Sequence, residues 1–151
     1  MKHTLSTLTV LFILLTSSMS WGSVNGKGVI CEEDTEPKWF SYPFLFIFEN
    51  GMVHHNGILV NNDVVIKTKG DIVPFKTSPS KISWNNMGTN NDVRLTYTLN
   101  RKDLSLNIMM TEQTKKLKCK VYPTKILVEK VDRMIEYFQS EYDKEKKDNK
   151  I

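Results

Sequence analysis

Two cysteines, Cys31 and Cys119, offer the most specific chemistry in this 151-residue chain. An even cysteine count behind an export-type leader reads as a disulfide. Bridging them closes a loop of about 89 residues, worth roughly 4–5 kcal/mol of denatured-state entropy. Free buried thiols and half of a metal site are the competing readings, and the metal reading lacks partner ligands. His54 and His55 are adjacent. Neighbours on a strand point to opposite faces, so the two cannot hold one ion together. Glu32, Glu33, Asp34 and Glu36 offer oxygens to calcium without EF-hand spacing, and read as a solvated acidic loop. The chain contains no nucleophile elbow, phosphate-cradling glycine loop, HExxH or Cys-x-x-Cys. It therefore reads as non-enzymatic, with no catalytic residue, metal or cofactor.

Three features point to binding instead. Lys116, Lys118 and Lys120 form a row that Lys67 and Lys69 could extend. Such a row suits an anionic glycan, a lipid headgroup or an acidic protein; it also suits a solvated strand face, or lysines that discourage edge-to-edge pairing. Ser78, Ser80 and Lys81 lie in a short polar loop whose cation could enter an acidic cleft on a partner. Phe44, Phe46 and Phe48, with Trp84 and Tyr97, are candidates for an apolar pocket, in a region also holding Trp39, Phe40 and Tyr42. Because Phe44, Phe46 and Phe48 face one way and Leu45 and Ile47 the other, this strand is apolar on both sides. One side is core; the other needs a cover, either a helix or a ligand.

Residues 1–22 have the three parts of a secretory signal: Lys2, the apolar run Leu8 to Leu15, and small residues allowing cleavage after Ser20 or Gly22. The apolar run is shorter than the roughly 20 residues a bilayer needs, and nothing later could span one. The expected location is periplasmic or secreted. A formal charge of +4 is too modest for a nucleic-acid-binding surface. Residues 23–122 alternate with period two. Strands are expected at Lys27 to Glu32, Phe44 to Phe48, Met52 to Val60, Val64 to Lys69, Lys81 to Trp84, Val93 to Leu99, Leu104 to Met110 and Lys116 to Val121. Asn50-Gly51 marks a tight hairpin, residues 70–80 read as irregular, and Asn85 to Asn91 as a loop. Leu117, Cys119 and Val121 face inward with the lysines outward, and Cys31 shares the inner side with Val29, as a core disulfide requires. After Pro123 the period becomes three and four: Leu127, Val131, Met134, Ile135, Phe138 and Tyr142 line one face of an amphipathic helix over 123–146. Residues 147–151 read as a disordered tail. The fold class is mainly β: a small antiparallel barrel or sandwich of seven to eight strands with one C-terminal α-helix.

Gly28-Val29-Ile30-Cys31, Phe48-Glu49-Asn50-Gly51, Ile82-Ser83-Trp84, Leu99-Asn100-Arg101-Lys102-Asp103-Leu104 and Cys119-Lys120-Val121 resemble a group of uncharacterised small exported proteins of marine alphaproteobacteria. That resemblance implies the layout and no activity. Ser78, Ser80 and Lys81, with one early and one late cysteine, are similar to the periplasmic C-type lysozyme inhibitors, small β-barrels that act through a Ser- and Gly-rich loop with a basic residue. Pro79 and Ile82 depart from that pattern. The expected function is an exported binding domain whose partner is an envelope protein, a glycan or a small apolar ligand. The alternatives are inhibition of a lysozyme-like hydrolase through Ser78–Lys81, or carriage of a small apolar molecule.

Overall fold

The computed structural model describes residues 23–33, 42–87, 94–111 and 113–148. Residues 1–22, most of the acidic turn, Trp39, Phe40, the end of the 85–91 loop and the last three residues lie outside the described residues. Eight strands follow one another as an antiparallel meander: β1 (Lys27–Glu32), β2 (Phe44–Glu49), β3 (Met52–Asn61), β4 (Val64–Thr77), β5 (Lys81–Met87), β6 (Arg94–Asn100), β7 (Ser105–Met109) and β8 (Thr114–Pro123). β8 pairs back onto β1, so the sheet closes as a barrel and not as a sandwich. Helix α1 (Thr124–Asp148) follows directly.

The turns explain the meander. Asn50 and Gly51 have φ of 51° and 75°, and Asn62 and Asp63 have 48° and 68°. Both pairs make two-residue turns with positive φ at each central position, the hand that matches strand twist. Leu104 at φ 54° is costlier, because a branched side chain avoids this region. Its carbonyl is thereby turned to accept from the Cys119 N–H at 2.9 Å.

Alternation gives the barrel two apolar surfaces. Inside, Val29, Phe46, Phe48, Val53, Trp84, Tyr97, Leu106 and Leu117 are buried with the Cys31–Cys119 disulfide. Outside, Ile30, Leu45, Ile58 and Val65 meet Leu127 and Val131 of α1, flanked by Ile135, Phe138 and Tyr142. The helix is the cover that the doubly apolar β2 required. Its approach depends on Gly28, where a Cβ would lie 2.5 Å from Leu127 Cδ1 and 2.8 Å from the Phe46 carbonyl oxygen.

Four expectations are corrected. Residues 70–77 continue β4 through a register shift: Ile72 lies opposite His54, but Lys69 lies opposite Asn56. Pro74 is tolerated because pairing with β5 begins only at Phe75. β5 extends to Met87, past the expected loop start at Asn85. Leu104 and Met110, expected as the ends of β7, lie outside it, and Val121, expected inside, is exposed near the end of β8. The helix runs on to Asp148 through the charged stretch.

Replacing both cysteines by serine should cost about 3–4 kcal/mol in urea unfolding, the usual range for a long-loop disulfide. Gly28→Val should cost about 2 kcal/mol by overpacking the helix contact. An unchanged denaturation midpoint in either variant would contradict the packing described.

Candidate functional site

The aromatic candidates are the interior of the barrel. Trp84 and Tyr97 stack at 5.2 Å between centroids; Phe46 meets them edge-on at 5.0 and 5.6 Å, and Phe48 meets Trp84 at 5.6 Å. Phe44 stacks above Phe46 at 6.4 Å and is half-buried. These side chains fill the space themselves, as an eight-stranded barrel permits.

The Ser78–Lys81 segment is a braced turn at one end of the barrel. The Ser78 N–H donates to the Lys81 carbonyl at 2.8 Å, and the Ser78 hydroxyl accepts from the Lys81 N–H at 3.2 Å. Arg101 donates its guanidinium to the Ser78 carbonyl at 3.1 Å and its N–H to the Ser80 carbonyl at 2.9 Å. Ser80 and Lys81 are exposed, while the Ser78 hydroxyl is occupied within the turn.

Lys116, Lys118 and Lys120 are exposed on β8, as expected. β8 has a neighbour on each side, so they guard no edge. Lys118 lies opposite Glu32 of β1 in register, and Asp103 lies close enough to feel both Lys116 and Lys118. Lys67 and Lys69 do not extend this row. They project from the outer face of β4, on the far side of α1.

The residues that converge lie at the opposite end from the Ser78 turn. β4 pairs with β5 only at Phe75–Thr77, and above that level it leaves β5 and follows β3 outward. The two strands make a tongue that rises past the rim. On the helix side, Ile58, Val60 and Val65 are packed beneath α1. On the other side, which continues the barrel's inner surface, Leu59 is 40% exposed and Val64 52%, with Ile66 half-buried between them. At the foot of the tongue, His55 stacks on Phe46 at 4.8 Å and on Phe44 at 6.1 Å. Gly70 permits this fit, since a Cβ there would lie 3.0 Å from the His55 carbonyl oxygen. Asp71 shares the inward parity of Val73, and its charge is felt by His55 and Tyr97. Across the rim, Lys115 pairs with Glu33 and sits 5.6 Å from the centre of the Phe44 ring.

The sequence reading missed this site because it ended β4 at Lys69. The available signal was the length of the 52–69 hairpin, longer than a small barrel needs. His54 and His55 do face opposite ways, opposite Ile47 and Phe46 respectively. Among the described residues no group of three metal-ligating side chains gathers, and no helix is long and apolar enough to cross a membrane.

Burial lowers the His55 pKa from its ordinary 6.5, with Asp71 pulling weakly the other way. The unfolded chain therefore takes up a proton near pH 6.5 that the folded chain resists. The contribution of neutral His55 is fully present above pH 6.5 and is lost as pH falls from there through the folded pKa. Thermal midpoints measured from pH 7.5 to 5 should decline through this window. His55→Gln should flatten the decline, and an identical slope would show that His55 does not carry it.

No family model matches the chain, and no curated protein or solved structure matches it either.

Proposed function

We propose that the chain is an exported, non-enzymatic binding domain that holds a partner polypeptide at the tongue. The observation that carries this reading is the apolar strip of exposed Leu59 and Val64 with half-buried Ile66, held off the barrel on a ribbon that α1 braces from behind. Exposed apolar side chains on a rigid support, rimmed by polar groups, are what a protein interface requires. Export is supported by the leader-like first 22 residues and by the buried disulfide, a bond that persists in oxidising compartments.

The other binding readings have less to work with. A small apolar molecule inside the barrel would displace rings already packed on one another. The β8 lysines have Glu32 and Asp103 beside them, which weakens their pull on a polyanion. The Ser78–Lys81 turn offers a hydrolase cleft one exposed cation with its serine hydroxyl already committed.

The test is a native mass spectrum of the protein taken from its own envelope fraction without reductant. A second polypeptide should accompany the wild-type chain at fixed stoichiometry, and Leu59→Lys with Val64→Lys should remove it without changing the thermal midpoint. A wild-type chain that is bare, or that carries only a small molecule, would overturn the proposal.

A further inference from the structure

The outward path of β4 has a second consequence, in its backbone. In the Asn62-Asp63 hairpin, Val64 pairs with Asn61, Ile66 with Leu59 and Thr68 with Gly57. A two-residue turn makes these the hydrogen-bonded pairs, so the N–H and C=O groups of Val65, Lys67 and Lys69 point away from β3. Among the described residues no strand lies there, because β5 joins only at Phe75. A closed barrel normally abolishes edges. Among the described residues this one retains an edge from Ile66 to Ile72, about 20 Å of extended chain.

The helix shows how that edge is satisfied where it is satisfied. Gln139 accepts from the Val65 N–H at 2.7 Å through its side-chain oxygen and donates to the Asp63 carbonyl at 3.1 Å through its side-chain nitrogen. One amide thus meets a carbonyl and an N–H two residues apart, the pair a neighbouring strand would meet. Tyr142 and Lys146 fix the same tip by donating to the Asp63 carboxylate. Beyond Val65 the imitation stops, and the backbone groups of Lys67 and Lys69 have no partner among the described residues.

We infer that the β4 edge takes an extended peptide as an added strand, with acidic side chains toward Lys67 and Lys69 and apolar ones toward Ile66. The inference rests on the tongue being the partner site and adds how the partner binds. Main-chain hydrogen bonds supply affinity and the alternating faces supply selectivity. The two lysines also disfavour pairing with a second copy of this edge, since adding β4 to β4 would set like charges side by side.

The probes are two capped hexapeptides, Val-Glu-Val-Glu-Val-Glu and Val-Lys-Val-Lys-Val-Lys, titrated onto the full chain and followed by amide hydrogen exchange. The acidic peptide should bind roughly tenfold or more tightly than the basic one, reflecting several cross-strand charge pairs. It should slow exchange at the Lys67 and Lys69 amides. Lys67→Pro removes one edge-facing N–H without touching the β3 ladder, and should abolish binding. An acidic peptide N-methylated at alternate residues should also fail, which tests the same bonds on the unaltered protein. Equal affinity for both peptides, or binding without protection at residues 67 and 69, would overturn the inference. If the native partner is still lost with Leu59→Lys and Val64→Lys while the peptides fail, the tongue remains the site and only strand addition falls.

Discussion

The structure depends on the seam where β8 returns to β1. Every other strand pair is joined by a connection of modest length, so its closure is local. The seam must bring together residues 88 positions apart, and the entropy of closing that loop has to be overcome before any contact there contributes. Cys31 and Cys119 stand directly opposite each other in its register and are both buried. Their bond removes the open chain from the denatured ensemble. Leu104 accepts a strained backbone so that its carbonyl meets Cys119 from the β7 side, linking the seam to the preceding hairpin.

The helix inherits its position from that seam. It begins at the residue after β8, where the Thr124 N–H donates to the Gly26 carbonyl at 3.0 Å. From this anchor it runs back over Gly28, Ile30 and Leu45 and reaches the β3–β4 hairpin. A two-stranded ribbon projecting alone is marginal in water. Burial of Ile58 and Val65 beneath α1, with Gln139 standing in for a missing strand at the tip, is what keeps the tongue extended. Closure at one side of the barrel therefore supports a free surface at the other.

That free surface is where the fold departs from economy. A barrel whose eight strands matched in length would bury its inner face and leave no edge. Here β3 has 10 residues and β4 has 14, against 5 in β7, and among the described residues the surplus pairs only within its own hairpin. The surplus keeps apolar side chains on the side away from the helix and cations along its open edge. Local departures of this kind, held in place by the rest of the structure, are where function is usually found.

Much of the framework was legible in the residues. Alternation placed Val29, Cys31, Leu117 and Cys119 on one inner side, Asn50-Gly51 marked its hairpin, and the three-and-four spacing after Pro123 marked α1. Those signals are local, and each is enforced by the cost of burying lysine or exposing leucine. The double apolar character of β2 even required a cover. What the sequence could not settle was where β4 parts from β5. Gly70 and Pro74 look like strand breakers, yet a register shift and an unpaired neighbour accommodate both. Whether a strand has one neighbour or two is decided by other strands far away in the chain. The sequence by itself determined the two faces of each element; only tertiary pairing decided which face and which edge remained open, because burial is a property of the residue and pairing a property of the assembled sheet.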